Sequence, residues 1–75
     1  MSAPVKRSVT IRGHRTSLSL EPQFWDELKR IADARALSLA GMIAEVDAER
    51  GSEPQSNLSS ALRVFVLEQL KSGRH

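Results

Sequence analysis

Cysteine is absent from this 75-residue sequence, and its aromatic residues are limited to one tryptophan and two phenylalanines. The lack of cysteine excludes disulfides and thiolate metal sites. A chain this short must therefore be stabilised by its own apolar core or by association with a second copy. Only two histidines are present, and there is no glycine-rich phosphate loop and no nucleophile elbow. Catalytic triads and clustered metal ligands therefore lack their usual residues. The sequence predicts a protein that is not an enzyme and that holds no cofactor and no metal.

Long apolar runs are also missing, and none approaches the length of a membrane span. No secretory signal pattern is visible, so we expect a cytoplasmic protein. Acidic residues are absent from the first 20 positions, which carry Lys6, Arg7, Arg12 and Arg15, whereas the rest of the chain has seven Lys and Arg against nine Asp and Glu. A basic end on a near-neutral body indicates a polyanionic partner, and the alternative is a solvated basic tail.

Alternating residues near the N-terminus predict two short strands. Val9 and Ile11 alternate with polar residues in one segment, and Leu18 and Leu20 do so in the next, with Gly13 between the segments. A strand this short needs a partner to satisfy its backbone edges. Two pairings are open: the second strand pairs antiparallel with the same strand of another copy, or segments 8–12 and 16–20 form a hairpin that turns at Gly13.

Three amphipathic helices follow the strands. Apolar spacing predicts them over residues 22–35, 39–50 and 58–71. Pro22 suits the first helical position, and Ser38 suits the N-cap of the second helix. Residues 51–54, with the sequence G-S-E-P, are expected to end that second helix.

The run R-T-S-L-S-L-E-P-Q-F-W-D-E-L-K-R-I-A-D-A-R-A-L-S-L-A-G-M-I-A-E-V resembles a ribbon-helix-helix domain. The preceding R-S-V-T-I-R-G-H and the following N-L-S-S-A-L-R-V-F-V-L-E resemble a bacterial subgroup of that family with an added third helix. The resemblance implies a mainly α fold with a short β-ribbon, assembled as a ribbon-helix-helix dimer. It divides the chain into a basic arm at 1–14 that could contain an extra strand, a core at 15–50, and a linker and third helix at 51–75.

The resemblance also implies a function on double-stranded DNA. A homodimeric transcriptional regulator or repressor of this kind inserts a two-stranded antiparallel ribbon into the major groove. Alternation places Arg15, Ser17 and Ser19 on the outward side of the strand, where they would read bases. If the hairpin forms, then Ser8, Thr10 and Arg12 are rival readers.

Contacts to the DNA backbone are expected elsewhere. Lys6, Arg7 and Arg12 are better suited to phosphate than to bases. The family also has a phosphate contact at the start of its second helix, which corresponds here to Ser38 with Leu39 and suits free N–H groups at a helix N-terminus. The predicted dimer core consists of Leu18, Leu20, Trp25, Leu28, Met42 and Ile43.

The third helix supports an alternative function. It could complete the dimer core, or it could offer Leu62, Phe65 and Leu70 to another protein. In that second reading, the protein is an interaction module or an antitoxin-like component whose helix 58–71 binds a partner.

Overall fold

The computed structural model describes residues 3–49 and 58–72, and two strands precede three helices. The elements are β1 (Val5–Ile11), β2 (His14–Leu20), α1 (Pro22–Ala34), α2 (Leu39–Glu49) and α3 (Leu58–Ser72). This order confirms the predicted mainly α fold with a short antiparallel ribbon and a third helix. The predicted helix stop at 51–54 lies outside the described residues.

The ribbon is a hairpin within one chain. β1 pairs antiparallel with β2, with Val5 opposite Leu20 and Ile11 opposite His14. The turn consists of Arg12 and Gly13, whose φ angles are 50° and 80°. Two-residue hairpin loops favour positive φ at both positions because this matches the twist of the strands, and glycine adopts it without steric cost. Of the two pairings that the sequence leaves open, the structure contains the hairpin.

The core lies between the inward face of this hairpin and the three helices. β1 packs on α2, and β2 packs on α3. The largest fully buried side chains are Leu20, Leu28, Met42, Ile43, Leu62 and Val66. Five of the six residues predicted for a dimer core are thus buried inside a single chain, while Trp25 is half-buried against them. Their burial requires no second copy.

The helix boundaries follow from local chemistry. Pro22 occupies the first turn of α1, and the backbone N–H of Trp25 donates to the carbonyl of Glu21 over 3.0 Å. α1 ends where Ala36 adopts a φ of 58°, and the N–H of Leu37 donates to Ala32 over 2.9 Å. None of the described helices is both long enough and apolar enough to cross a membrane.

Candidate nucleic-acid interface

One face of the hairpin points away from the core, and we call it the outward face. In register, Lys6 lies opposite Ser19, Ser8 opposite Ser17, and Thr10 opposite Arg15. All six side chains of the outward face are exposed, and all are polar or cationic. The three predicted readers on β2 and two of their three rivals on β1 therefore form a single surface. The two sets lie side by side on one face of the ribbon.

The outward face is electropositive. It carries Lys6 and Arg15 but no carboxylate. Within residues 3–49 and 58–72, neither of these cations lies within ion-pair distance of an acidic side chain. Unpaired exposed cations on a surface without acids attract polyanions. They also remain free to form hydrogen bonds with a ligand.

Arg12 is directed elsewhere. It belongs to the turn, and its guanidinium donates to Asp47 Oδ2 over 2.6 Å and to the carbonyl oxygen of Ala44 over 3.2 Å. Both acceptors lie on α2, so this side chain ties the tip of the hairpin to the helices. The third rival reader is thus not on the outward face, and any phosphate contact by Arg12 would compete with Asp47.

Arg7 lies on the inward side of β1. Its guanidinium carbon is 4.5 Å from the centre of the Trp25 ring, a distance typical of a cation–π contact. The side chain is half-buried. Lys6 and Arg7 belong to the basic segment 1–14, for which the sequence left an extra strand open. The structure contains that strand as β1, and of the two cations only Lys6 lies on the outward face.

The start of α2 has the predicted N-cap. Ser38 Oγ accepts a hydrogen bond from the Gly41 backbone N–H over 3.0 Å. A Cβ at position 41 would approach that oxygen to 2.9 Å, so glycine there leaves room for the cap. The first N–H groups of a helix lack partners within it and can bind an anion. Lys29 and Asp33 line a surface depression beside Ser38 and Leu39. Lys29 is a neighbouring cation that sequence reasoning missed, because only the packing of α1 against α2 brings it there.

The order of elements, a two-stranded antiparallel ribbon followed by helices, agrees with the comparison against family models. A model described as a ribbon-helix-helix domain matches residues 4–70. The chain belongs to the ribbon-helix-helix family. Members of this family are generally DNA-binding transcription regulators, and they usually bind DNA as dimers. No curated protein and no solved structure gives a significant match.

A second feature absent from the sequence predictions fixes the ribbon-helix-helix core to its third helix. Arg63 on α3 donates to both carboxylate oxygens of Glu21, from Nε over 2.9 Å and from a terminal nitrogen over 3.2 Å. Glu21 joins β2 to α1, so this ion pair holds α3 against the base of the ribbon. The hydrogen bond from Arg63 is the main reason that the pKa of Glu21 is lowered from its ordinary value.

We expect Glu21→Gln to remove a pH-dependent part of the stability. Because the pKa of Glu21 is lowered in the folded state, its contribution is present above the ordinary glutamate pKa and is lost as the pH falls through the lowered value. The variant should be less stable than the wild type at neutral pH and should match it in acid. Urea unfolding at several pH values measures the difference. An offset that does not change with pH would contradict an ionic role for Glu21.

Proposed function

We propose that this protein is a sequence-specific DNA-binding transcriptional regulator that inserts the outward face of its hairpin into the major groove. The observation that carries the proposal is a two-stranded antiparallel ribbon with six exposed outward side chains. Each of the six is polar or cationic, and none is a carboxylate. The major groove admits a two-stranded ribbon, and base edges there present a distinct pattern of donors and acceptors. We place the protein in the cytoplasm of a bacterial cell, where it would have access to chromosomal DNA.

The base-reading role belongs first to Arg15, Ser17 and Ser19. Arg15 can donate two parallel hydrogen bonds to O6 and N7 of guanine. The serine hydroxyls donate and accept, so they are less selective. Ser8 and Thr10 face the same way from β1 and extend the reading surface across the ribbon.

The phosphate-binding role belongs first to the start of α2. Ser38 and Leu39 offer the N-terminal end of a helix, and Lys29 lies beside them in a depression that Asp33 also lines. Arg7 and Arg12 can join only by leaving Trp25 and Asp47. Lys6 shares the outward face with Arg15, and a lysine at that position reaches both phosphates and base edges.

Selection from random DNA duplexes tests the proposal. The purified protein should enrich one sequence, and its affinity for that sequence should fall linearly on a logarithmic scale as the salt concentration rises. The same measurement on a scrambled duplex is the matched control. Failure to enrich any sequence, together with no salt-dependent binding to duplex DNA, would contradict a DNA-binding function.

Ser38→Asp separates the phosphate contact from the helix cap. Aspartate caps helices as well as serine does, and its charge is favourable at a helix N-terminus, so the fold should be as stable as the wild type. The same charge repels phosphate. We expect affinity for the enriched and scrambled duplexes to fall by the same factor, which binding titrations on both would show. A variant that binds DNA as the wild type does would place the phosphate contact elsewhere.

The functional form proposed here is a homodimer. Family members usually bind DNA as dimers, and α3 presents an apolar stripe formed by Val64, Leu67 and Leu70, which are 53%, 54% and 48% exposed. Because association and unfolding are then linked, the melting temperature should rise with protein concentration. Leu67→Lys, in the middle of the stripe, should abolish that dependence without unfolding the chain.

The same stripe supports the second candidate, a partner protein that binds α3. Of the three residues expected to contact it, Leu62 is fully buried in its own chain and Phe65 is half-buried, whereas Leu70 is exposed. A wild-type protein that stays monomeric over a hundredfold range of concentration and ignores DNA would favour this antitoxin-like role.

A further inference from the structure

The two strands of the hairpin resemble each other in sequence. Residues 6–11 read K-R-S-V-T-I and residues 15–20 read R-T-S-L-S-L, nine positions later. A cation, a serine, an aliphatic residue, a hydroxyl residue and a second aliphatic residue recur in the same places. Only the second position differs in kind, with Arg7 in one strand and Thr16 in the other.

Because the two similar strands pair antiparallel, they are related by a local two-fold symmetry. Ser8 lies opposite Ser17, and an antiparallel ladder has a local two-fold axis through such a pair. That axis relates Lys6 to Arg15 and Thr10 to Ser19. The outward face therefore presents a cation, a serine and a second hydroxyl residue twice, in opposite directions. In this register the axis passes through a residue pair of the outward face.

The inward face follows the same rule. The axis relates Val9 to Leu18 and Ile11 to Leu20, and all four pack on the helices of one chain. β1 therefore pairs with β2 in the way that a strand of a second copy would in a ribbon shared between two chains. The core closes around both strands without that copy.

The width of the groove argues against a ribbon that two copies build from both of their hairpins. Neighbouring strands lie about 4.8 Å apart, so a four-stranded sheet made by joining two hairpins edge to edge would measure about 14 Å between its outer strands. The major groove is only about 12 Å wide. One hairpin fits the groove, whereas two hairpins joined edge to edge do not.

We propose that a single chain forms the complete reading ribbon, and that its target is a short inverted repeat centred on the Ser8–Ser17 pair, with Lys6 and Arg15 reading equivalent bases at its two ends. This inference rests on the proposed DNA-binding function. Lys6 and Arg15 are four residues apart along the ribbon, or about 13 Å, which corresponds to about four base pairs. Both side chains bind guanine in the major groove, but only arginine does so with a planar fork, so the two ends are read unequally. Each copy in a dimer carries its own ribbon.

A disulfide across the hairpin tests whether one chain suffices. Val9 and Thr16 lie directly opposite each other on the inward face, so Val9→Cys with Thr16→Cys leaves the outward face unchanged. Directly opposite Cα atoms are about 4.5–5.5 Å apart, which a disulfide spans. The native chain has no cysteine that could compete. Oxidation should produce a cross-linked monomer on a non-reducing gel, and each single-cysteine variant should remain uncross-linked.

The oxidised double variant should bind the enriched duplex within about twofold of the reduced form, with the same preference over a scrambled duplex. Cross-linked dimers as the main product, or an oxidised form that loses the binding its reduced form retains, would overturn the inference. If neither the wild type nor the reduced variant binds any duplex, the proposed function fails, and the gel still reports whether the ribbon belongs to one chain.

Lys6→Ala supplies a second measurement that needs no cysteine and decides the matter if the double variant does not fold. It should relax the preference at one end of the repeat by about 5- to 150-fold, and Arg15→Ala should do so at the mirrored position. Lys71→Ala, on the last turn of α3, is the control for loss of one charge. A uniform loss over all sequences for Lys6→Ala would make Lys6 a phosphate contact and overturn the symmetric reading.

Discussion

Leu20→Ala is expected to destabilise the protein by about 2–5 kcal/mol, the range for truncating a fully buried leucine. Leu20 has no exposed surface and lies where the ribbon meets the helices. A chain of 75 residues has a total stability of about 4–11 kcal/mol, so the loss is a large share of it. Urea unfolding followed by the fluorescence of Trp25, the single tryptophan, measures the change directly.

Ser19→Ala is the matched control for that substitution. Ser19 is the adjacent residue on β2 but belongs to the exposed outward face, so its truncation should change the stability by no more than about 0.5 kcal/mol. The contrast between neighbouring positions tests which side of the strand is packed. Equal effects at positions 19 and 20, or a small effect at Leu20, would mean that the ribbon is not anchored on the helices as the structure has it.

The helices were predictable because their signals are local. Pro22 and the spacing of Leu28, Ile31 and Ala32 mark the first helix, and Ser38 marks the start of the second, so each signal lies in or next to the helix that it predicts. The structure places α1 over Pro22–Ala34, one residue shorter at its end than the predicted helix over 22–35. The outward and inward faces of the strands follow equally directly from their alternation.

The pairing of the strands was not decided by the same reasoning. An antiparallel partner from another copy and one from the same chain satisfy the same backbone edges. The discriminating signal was the turn, where Gly13 directly follows Arg12 and two residues join the strands. Such a loop favours a hairpin, but it also required a non-glycine residue at positive φ, which counts against it when judged from sequence alone.

The contacts of the arginines were the least predictable part of the candidate site. Arg12 and Asp47 are 35 positions apart, and Arg63 and Glu21 are 42 apart. Sequence charge alone assigned Arg7 and Arg12 to phosphate. In the fold, Arg12 contacts Asp47 and Arg7 contacts the ring of Trp25, because both arginines lie where β1 and its turn meet the helices. Among the described residues, Lys6 and Arg15 are the ribbon cations that lie on the outward face without an ion-pair partner, and they therefore define the candidate interface.

Arg15→Ala is expected to weaken binding to the preferred duplex by about 1–3 kcal/mol and to narrow the gap between that duplex and random DNA. Arg15 is exposed on the outward face, opposite Thr10 and close to the turn, and no acid in the described residues holds its guanidinium. It can therefore align with a base without breaking an existing ion pair. Binding titrations on both duplexes, repeated over a range of salt concentrations, separate the loss of a base contact from the loss of a charge.

Arg15→Lys is the decisive companion variant. Lysine keeps the positive charge but lacks the planar fork that donates two hydrogen bonds to one guanine. If Arg15 reads a base, the lysine variant should retain the binding to random DNA and its salt dependence while losing part of the preference for the enriched duplex. The alanine variant should lose more of that preference and some affinity for every sequence. Should both variants keep the wild-type preference intact, the reading residues would have to lie on β1, where Lys6, Ser8 and Thr10 share the same face.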